Sequence, residues 1–562
     1  GYSDGGFRWA LGGKAMTWES DKNGYRSHGS WGAHGDIYIM FFDGKEMSKF
    51  AQDKEDEEIE KLRSGKSEKQ LAKEEKKDSL AQEKPRKLEL LLAGRENRIV
   101  RLTAASAAYG DHYLDKDGRK LYYVMPLESG SGLCVRDLRE GSVKVLARGV
   151  NGRITPSPDG KEIYMFSGRG ITKVTLANGQ TKQINFSGDF EFKPGAEREY
   201  MFSHVWKQVK EKFYDPALHG ADWDYCRDNY AQFLPYIDNY FDFQEMLSEM
   251  LGELNGSHTG ARYRLQGGEA LGRLGVLYDL DYSGAGLRIA EVLPGGVLNL
   301  ADSQIKAGDL VTAIDGHAIA PGENWFPLLA GKANKKIVVT VRKGGKDEDL
   351  VVKPVANESA LLYRRWVRQR EEMVERLSGG RVGYVHVQGM DSPSFREVYS
   401  KALGKYRGCE ALVVDIRHNG GGWLHDDLVT FLGGKAYVEW RPRGQYIGTE
   451  PYSKWTKPSC VLMCEDCYSD ASGFPFAYRT LGIGPLVGMP VPGTMTAVWW
   501  ETLIHPQLVF GIPQVGGWVP EKQRYMENLQ LEPDVRADND PASRLRGEDK
   551  QLEAAVREML AK

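Results

Sequence analysis

The amino-acid sequence predicts a multidomain chain in which a β-sheet region, a small helical region, a second β region and an α/β region follow one another. Three observations predict this order. Short aromatic-rich strands with Asp-Gly turns fill the first third, apolar residues at helical spacing follow, and continuous apolar runs mark the last third. With 562 residues, the chain has room for roughly three to five domains of ordinary size.

The bulk composition is that of an ordinary globular protein and argues against several classes. Lys and Arg number 75 against 78 Asp and Glu, and this net charge of -3 argues against a dedicated nucleic-acid or anionic-membrane binder. No apolar run approaches the roughly 18 residues that a membrane span needs. The motif Cys464-x-x-Cys467 lacks a second pair to complete a zinc site, so we interpret its thiols as packing residues.

Residues 1–190 carry a weak repeat of strand-like runs around hairpin turns. Asp117 and Asp159, each followed by glycine, mark the clearest turns and lie 42 residues apart. Such a period is typical of β-propeller blades. Only about three blades fit, whereas a closed propeller needs about four to eight, so we predict a partial β-propeller whose earlier blades are missing. The highly charged segment 43–87 interrupts it and is expected to be a solvated helix or a disordered loop.

Residues 195–264 change to a helical pattern. Apolar residues recur at i, i+3 and i+4 in the stretches around Met201 and Phe241, which predicts a small helical domain. The domain ends in a glycine-containing junction that carries Ser257 and His258. These two residues therefore lie where a helix gives way to a loop, a position from which side chains can serve a site.

Residues 266–356 contain short strands separated by turns and predict a second β domain. The stretch IKAGDLVTAIDG, 305–316, resembles the core of a PDZ domain. In that resemblance Leu274, Gly275 and Val276 fall where a carboxylate-binding loop would lie. Such domains bind a peptide as an added edge strand, which makes these three residues candidate substrate-binding residues. A scaffold PDZ domain with an occluded groove is the alternative.

Residues 360–562 predict an α/β domain. The run ALVVDIR suits a strand in a sheet covered on both faces, and PSCVLMCED is a similar strand that leads to Ser469. Ser469 precedes a predicted helix, so the N–H of Asp470 can point at a developing oxyanion. The glycine run that ends at Gly422 follows the first strand and offers a second backbone donor.

Serine hydrolysis needs a nucleophile, a base and an orienting acid, because a serine hydroxyl reacts only when a base removes its proton. Ser469, His258 and Glu527 could supply these roles. Each alone has an ordinary explanation: an N-cap serine, a satisfied histidine and an exposed turn carboxylate. Ser472 is a competing nucleophile. No local signature such as G-x-S-x-G is present, so the hypothesis depends on several distant segments together.

The order of these segments resembles a known family. GELNGSH, DIRHNGGGW, SDASGFPF and MENLQLEPDV occur in the sequence in the order in which the tricorn protease family, in the C-terminal-processing-peptidase superfamily, carries its motifs. The resemblance spans the whole chain and is strongest from about residue 195. It implies a catalytic tetrad in which Ser469 attacks the scissile carbonyl, His258 takes its proton, Ser257 hydrogen-bonds the imidazole, and Glu527 holds Ser257.

The resemblance implies further properties. The backbone amides of Gly422 and Asp470 would form the oxyanion hole, peptides would be the substrates, and the protein would be a homo-oligomer that needs no metal or other cofactor. One departure affects the nucleophile loop, because the usual S-D-G-D motif is here S-D-A-S. The other branch of the superfamily uses a Ser/Lys dyad. No lysine occurs between Lys457 and Lys522, which favours the Ser-His mechanism.

We therefore predict a serine peptidase acting on oligopeptides or unfolded protein segments. A non-catalytic peptide-binding scaffold that uses the PDZ domain and the propeller is the main alternative, and an esterase with the same residues is a second. Phosphate binding by the NGGGW stretch is disfavoured because the G-x-x-x-x-G-K-[ST] pattern is absent. The sequence leaves the compartment open between cytoplasm and bacterial periplasm.

Overall fold

The computed structural model describes most of the chain. The described residues are 2–562 except positions 27, 31–32, 43, 53–54, 57–58, 60–61, 64–90, 169, 266 and 303. The chain divides into two compact units, Gly1–Glu191 and Phe192–Lys562. Most of the charged segment 43–87 lies outside the described residues, and its beginning, Gly44–Ala51, forms helix α1.

The first unit contains three four-stranded antiparallel sheets, each with its strands in chain order. The strands are β1 Asp4–Ala10, β2 Ala15–Ser20, β3 Asp36–Phe41, β4 Ile99–Arg101, β5 His112–Leu114, β6 Lys120–Pro126, β7 Ser131–Asp137, β8 Val143–Arg148, β9 Arg153–Pro156, β10 Glu162–Ser167, β11 Gly170–Thr175 and β12 Thr181–Ile184. The predicted turns at Asp117 and Asp159 each join the first strand of a sheet to the second, which confirms the two hairpins.

The middle sheet packs against both of its neighbours. Along β6, Leu121 and Tyr123 belong to the core shared with the first sheet, whereas Tyr122 and Val124 belong to the core shared with the third. Successive residues of a strand point to opposite faces, so this alternation places one apolar face on each side. The three sheets thus form a stack in which the first and third sheets cover the two apolar faces of the middle sheet.

The second unit begins with three helices. They are α2 Pro194–Lys212, α3 Trp223–Ala231 and α4 Tyr240–Gly252. The side chains of Asp222 and Asn239 accept backbone N–H groups at the starts of α3 and α4, as expected of N-cap residues. Strand β13, Gly260–Tyr263, follows them and begins two residues after His258.

A six-stranded antiparallel sheet comes next and contains the predicted PDZ-like region. Its strands are β14 Val276–Tyr278, β15 Leu287–Val292, β16 Leu310–Ile314, β17 His317–Ala318, β18 Ile337–Lys343 and β19 Lys346–Val352, with helix α5 at Phe326–Leu329. Val311, Val339 and Val341 are buried at its centre. The alternating apolar residues of β18 account for this core, since they all face the same side of the sheet.

The remaining residues form an α/β domain around a five-stranded parallel sheet. Its strands lie side by side in the order Val382–His386, Ala411–Asp415, Ser459–Met463, Leu486–Gly488 and Val535–Arg536. The elements in chain order are α6 Ser359–Ser378, β20 Val382–His386, α7 Ser392–Ser400, β21 Ala411–Asp415, α8 His425–Leu432, β22 Val438–Trp440, β23 Gly448–Glu450, β24 Ser459–Met463, α9 Asp470–Thr480, β25 Leu486–Gly488, β26 Thr496–Thr502, β27 Leu508–Gly516, β28 Trp518–Val519, β29 Arg524–Tyr525, β30 Val535–Arg536, α10 Pro541–Leu545 and α11 Lys550–Leu560.

Strands β21 and β24 fulfil the expectation of buried central strands. Every residue of both is buried, and separate apolar cores cover the two faces of the sheet. The two strands are parallel neighbours, so the loops that follow them leave the same edge of the sheet. One of these loops contains Gly422 and the other leads to Ser469, which brings the predicted nucleophile and the glycine run together.

The unit also contains a three-stranded sheet, in which β27 lies between β13 and β26. Phe510 and Ile512 of β27 are buried against Phe243 and Leu247 of α4, so the early helices cover this late sheet. The pairing of β13 with β27 connects the region that follows the helices to the far end of the chain. Among the described residues, no helix is long and apolar enough to cross a membrane.

Candidate active site

Ser469 occupies the sharp junction between the loop after β24 and helix α9. Its backbone has φ 58° and ψ -123°, a strained conformation for a residue with a side chain. Its N–H donates to Oγ1 of Thr494 at 2.7 Å. The side chain makes no capping hydrogen bond to α9, so the explanation of Ser469 as an ordinary N-cap serine is wrong.

The glycine loop after β21 lies directly against this junction. A Cβ added to Gly421 would stand 2.5 Å from Cβ of Ser469, and one added to Gly422 would stand 2.2 Å from the carbonyl oxygen of Met390. Both glycines have positive φ, 96° and 146°. The close approach therefore requires glycine at both positions, as the sequence pattern indicated.

Two backbone donors beside Ser469 have no internal partner. Within the described part of the chain, neither the N–H of Gly422 nor that of Asp470 has a hydrogen-bond acceptor. Asp470 is the first residue of α9, where N–H groups lack an intrahelical acceptor. A negatively charged oxygen placed between them could accept both, which is the arrangement expected of an oxyanion hole.

The side chain of Asp470 fixes the glycine loop relative to α9. Its carboxylate is almost fully buried and accepts the backbone N–H groups of Leu424 at 2.5 Å and His425 at 3.0 Å. It also contacts Nδ1 of His425 at 2.5 Å. This hydrogen bond raises the pKa of His425, whose partial burial acts in the opposite direction.

The predicted base lies in a chain of hydrogen bonds that ends on a buried acid. Glu527, 4% exposed, accepts the N–H of Ser257 at 2.5 Å on Oε1 and its hydroxyl at 3.0 Å on Oε2. The Ser257 oxygen lies 2.9 Å from Nδ1 of His258. Because the only hydroxyl proton of Ser257 points at Glu527, its oxygen must accept a proton from Nδ1. That tautomer leaves Nε2 of His258 unprotonated and able to act as a base.

Burial sets the protonation of both ends of this chain. It lowers the pKa of His258, with a smaller contribution from the positive charge of Arg262. Burial also raises the pKa of Glu527, whereas the two hydrogen bonds from Ser257 lower it. A neutral imidazole whose Nδ1 is held by hydroxyl groups is the form that a general base requires.

Three consecutive residues that the sequence analysis missed connect the two sides of the site. Thr494 accepts the N–H of Ser469, and the backbone of Met495 helps to lower the pKa of Glu527. Oγ1 of Thr496 lies 3.0 Å from both Nδ1 of His258 and Oγ of Ser257. Thr496 is the first residue of β26, and Thr494 lies in the loop before that strand. Neither threonine belongs to a motif of its own, so the sequence offers no signal that singles them out.

Tyr468 also joins the two sides. Its hydroxyl oxygen accepts the backbone N–H of His258 at 2.6 Å, and its ring lies 4.8 Å from the imidazole, measured between centroids. No direct hydrogen bond between Ser469 and His258 occurs among the described residues. The structure thus brings Ser257, His258 and Glu527 into contact and places Ser469 next to them through Tyr468 and Thr494.

The competing nucleophile and the PDZ-like loop lie in different surroundings. Ser472 is fully buried in α9, and its hydroxyl is bonded to the carbonyl of Cys467 and to Thr494. In the PDZ-like sheet, Leu274 and Val276 are buried and the N–H of Gly275 donates to Oε1 of Glu358 at 2.8 Å. Within the described ranges, no hydrogen bond or ion pair joins this loop to the tetrad residues. Leu274, Gly275 and Val276 therefore lie outside the tetrad's hydrogen-bond network.

Side chains that could ligate a metal ion occur in groups outside the predicted tetrad. In the described part of the chain, two groups of His, Cys and carboxylate residues are close enough to hold an ion: His418, Cys464 and Asp466 in the second unit, and Glu19, Asp111 and His112 in the first. None of these residues is a member of the predicted tetrad.

Comparison with protein families identifies the domains of the second unit. The model for the tricorn protease C1 domain matches residues 194–252, that for the tricorn protease PDZ domain matches 272–357, and that for peptidase family S41 matches 381–537. The PDZ match confirms the resemblance seen in the sequence. Ser469 and Glu527 lie within the S41 range, and His258 lies between the first two ranges.

Curated relatives agree with these matches. The chain is 30% identical over 404 residues to tricorn protease homolog 1 of Streptomyces coelicolor, an alignment that covers 69% of this chain and 37% of that protein. It is 24% identical over 369 residues to the tricorn protease of Thermoplasma acidophilum, covering 63% and 34% respectively. The chain therefore spans little more than a third of the length of the curated relatives it matches.

Solved structures contribute evidence on the fold. The crystal structure of the tricorn protease has a TM-score of 0.77 to this chain at 19% identity, and the match covers 100% of this chain and 55% of that one. At this identity the likeness shows a shared fold and no more. Together with the family models, it confirms the resemblance to tricorn proteases that the motif order predicted.

Proposed function

The chain contains the C1 and PDZ domains of the tricorn proteases and a peptidase domain of family S41, and from this relationship we propose that it is a serine peptidase. The observation that carries the proposal is the hydrogen-bond chain from Glu527 through Ser257 to His258, which ends beside a strained, uncapped Ser469. A scaffold that only bound peptides would have no use for a buried acid at the end of such a chain.

The residues support one sequence of steps. The Ser469 oxygen attacks the scissile carbonyl carbon while Nε2 of His258 takes its proton, and the carbonyl oxygen becomes an anion. The N–H groups of Gly422 and Asp470 then donate to that anion. His258 passes the proton to the leaving amine, and the acyl-enzyme forms. Water attacks the ester in the second half, with His258 again taking and returning a proton.

Ser257 and Glu527 act through His258 in this proposal. The imidazolium that forms during attack carries a positive charge in a buried site. The Ser257 oxygen accepts from Nδ1, and the Glu527 carboxylate polarises Ser257 by accepting both of its donors. The arrangement holds the ring in one orientation and stabilises its charged form.

We propose oligopeptides or unfolded protein segments as substrates. The PDZ-like sheet supports this, because it can add a peptide as an edge strand at the loop Leu274–Gly275–Val276. Glu358 now accepts the Gly275 N–H, so a bound peptide carboxylate would have to replace the Glu358 carboxylate there. We also propose that the three stacked sheets of the first unit are blades of a β-propeller and that the protein assembles as a homo-oligomer.

Fluorophosphonate labelling followed by mass mapping tests the proposal. We expect the parent protein to acquire one adduct on Ser469, Ser469→Ala to acquire none, and His258→Ala to react at least about 100-fold more slowly, because it lacks the base. Ser472→Ala is the matched control and should label like the parent. An adduct on Ser472, or equal labelling of Ser469→Ala, would assign the nucleophile elsewhere.

A quenched-peptide library separates a peptidase from an esterase. We expect cleavage of peptides by the parent and not by Ser469→Ala. Hydrolysis of activated esters alone, with intact labelling of Ser469, would support the esterase alternative. A folded parent that neither labels nor cleaves would support a peptide-binding scaffold.

A further inference from the structure

Two loops beneath the candidate nucleophile bring together side chains that favour a soft divalent metal ion. His418 ends the segment that follows β21, and Cys464 and Asp466 lie in the turn that follows β24. Nδ1 of His418, Sγ of Cys464 and the carboxylate of Asp466 all lie within 4.8 Å of one another. A thiol, an imidazole and a carboxylate are the ligand types found on protein-bound zinc.

The carboxylate of Asp466 already contacts both of the other side chains. Oδ2 of Asp466 lies 2.7 Å from Nδ1 of His418, and Oδ1 lies 2.7 Å from Sγ of Cys464. Ligands on one tetrahedral zinc ion stand roughly 3.3–3.8 Å apart, given bonds of about 2.0–2.3 Å. To admit an ion, the His418 nitrogen and the Cys464 sulfur would each have to move about 1 Å away from the Asp466 oxygens.

The surroundings allow both access and selectivity. The side chains of His418 and Asp466 are 47% and 62% exposed, whereas Cys464 is buried. His418 has φ 64°, and its Nδ1 contacts the carboxylate of Asp466. An ion could enter from solvent past His418 and Asp466 and reach the buried Cys464 sulfur. On its solvent-facing side, one coordination position would remain for water.

We propose that Cys464, Asp466 and His418 bind Zn²⁺ or a chemically similar thiophilic divalent cation. The Cys464 sulfur would give its proton to solvent on binding and coordinate as thiolate. Because this C-x-x-C motif has no second cysteine pair and His418 is distant from it in the chain, the sequence alone favoured packing for its thiols.

Such an ion would connect the two loops that carry the candidate active site. His418 is followed by Asn419, whose side chain accepts the Gly421 N–H and whose carbonyl accepts the Tyr468 N–H. Asp466 is three residues before Ser469. Metal binding would therefore fix the spacing between the glycine loop and the nucleophile loop without contacting the reacting atoms.

Cobalt absorption tests the site with the metal alone, independently of peptidase activity. Co²⁺ added to the parent should produce a thiolate-to-cobalt band in the near ultraviolet together with visible bands of tetrahedral type, and Zn²⁺ should remove both by displacement. Cys464→Ser should lack the thiolate band. His418→Gln should bind at least about 100-fold more weakly.

The controls distinguish this site from general metal binding. Cys409→Ser changes another cysteine of the same domain, one that is outside the group, and should keep the full cobalt spectrum. Zn²⁺ at about 100 times its Kd should raise the Tm of the parent by about 5 °C and leave that of His418→Gln unchanged. His418 is exposed, so this variant should fold normally.

Two results would overturn the proposal. One is the absence of a thiolate band in a folded parent at millimolar Co²⁺. The other is a band that survives in Cys464→Ser or disappears in Cys409→Ser. Either result would leave the peptidase proposal untouched, because that proposal depends on labelling of Ser469 in the absence of metal.

Discussion

The two sides of the candidate active site differ in how their polar groups are satisfied. On the side of the base, Ser257, His258 and Glu527 form a closed chain of hydrogen bonds around a buried acid. On the side of the nucleophile, the N–H groups of Gly422 and Asp470 have no acceptor among the described residues. Unpartnered donors are costly, so a site keeps them only where charge will develop. The base is fixed beforehand, and the oxyanion donors await a substrate.

Two histidines show the same contrast. Burial lowers the pKa of His258, whose Nδ1 lies against the hydroxyl oxygens of Ser257 and Thr496, and this suits a neutral base. The carboxylate of Asp470 raises the pKa of His425, which suits a charged ring with a fixed position. The His258 ring packs against Tyr468 and the His425 ring contacts Asp470, the two chain neighbours of Ser469. The partner of each imidazole, more than its burial, decides its role.

The largest loss of labelling rate should come from adding a side chain to the glycine loop beside Ser469. Gly422→Ala places a Cβ 2.2 Å from the Met390 carbonyl oxygen, so the loop must move and its N–H leaves the oxyanion position. We expect the rate of fluorophosphonate labelling to fall by about 10²–10³-fold, the loss typical of one oxyanion donor.

Gly420→Ala is the matched control for this change. A Cβ at Gly420 meets nothing within 4 Å, and its φ is not positive, so labelling should stay within a few fold of the parent. Equal losses in both variants would mean that loop flexibility, and not the amide position, limits the reaction.

On the base side, Glu527→Gln should lower labelling by about 10- to 100-fold. The glutamine amide has only one acceptor oxygen for the two donors of Ser257, so one of them meets an NH₂ group. The hydroxyl of Ser257 would then rotate and release Nδ1 of His258. The rate constant of labelling at pH 8 measures the loss.

Glu521→Gln, an exposed glutamate six residues earlier, is the control and should label like the parent. A Glu527→Gln variant that keeps the parent rate and Tm would show that the acid contributes nothing to the base.

A smaller loss, about three- to tenfold, is expected from Thr496→Val. Valine keeps the shape and removes the hydroxyl that lies 3.0 Å from both Ser257 and His258. The ring should then occupy more than one orientation, which lowers the labelling rate without lowering Tm by more than a few degrees. Thr496→Ser should restore the rate, because it restores the hydroxyl.

Thr502→Val lies at the exposed end of the same strand and should have no effect. If Thr496→Val and Thr502→Val behave alike, the hydroxyl of Thr496 is not a positioning group.

The smallest effects should appear as opposite pH dependences of the two histidines. Labelling needs neutral His258, so it should fall as pH drops through a pKa that burial places below the ordinary value of about 6.5. His425 has a raised pKa, so its stabilising contact with Asp470 is fully present below about pH 6.5 and is lost as pH rises through its folded pKa. The Tm difference between the parent and His425→Gln should therefore shrink from about pH 6 to about pH 9.

His317→Gln, an exposed histidine of the PDZ-like sheet, serves as the control for the Tm series. A labelling midpoint above pH 6.5 would contradict the neutral-base assignment. A Tm difference for His425→Gln that is constant with pH would mean that His425 contributes only packing.

The sequence was informative where local pattern and tertiary role agree. The continuous apolar runs of β21 and β24 predicted a covered parallel sheet, and that geometry placed Gly422 and Ser469 at one edge. The Asp-Gly turns likewise predicted two hairpins of the first unit. In both cases the signal is contained within about ten residues, so no distant contact was needed to interpret it.

The rest depends on contacts between distant segments. Strand β13 seemed to end the helical domain but pairs with β27, nearly 250 residues later. Thr494, Thr496 and Tyr468 carry no motif of their own, and their roles arise only when that pairing brings them to His258. His418 similarly reaches Cys464 and Asp466 only after β21 and β24 align, which is why the C-x-x-C motif resembled simple packing.

The span of chain between Ser257 and Glu527 has a consequence for biosynthesis. These hydrogen-bonded partners are 270 residues apart, so the acid leaves the ribosome long after the base. At about 5–20 residues per second, the delay is roughly 15–50 seconds. Late in that interval, once Ser469 has been made, the nascent chain contains both His258 and Ser469 but lacks the group that orients Ser257. We expect the growing polypeptide to be hydrolytically silent until Glu527 has been made, which would protect neighbouring nascent chains from premature cleavage.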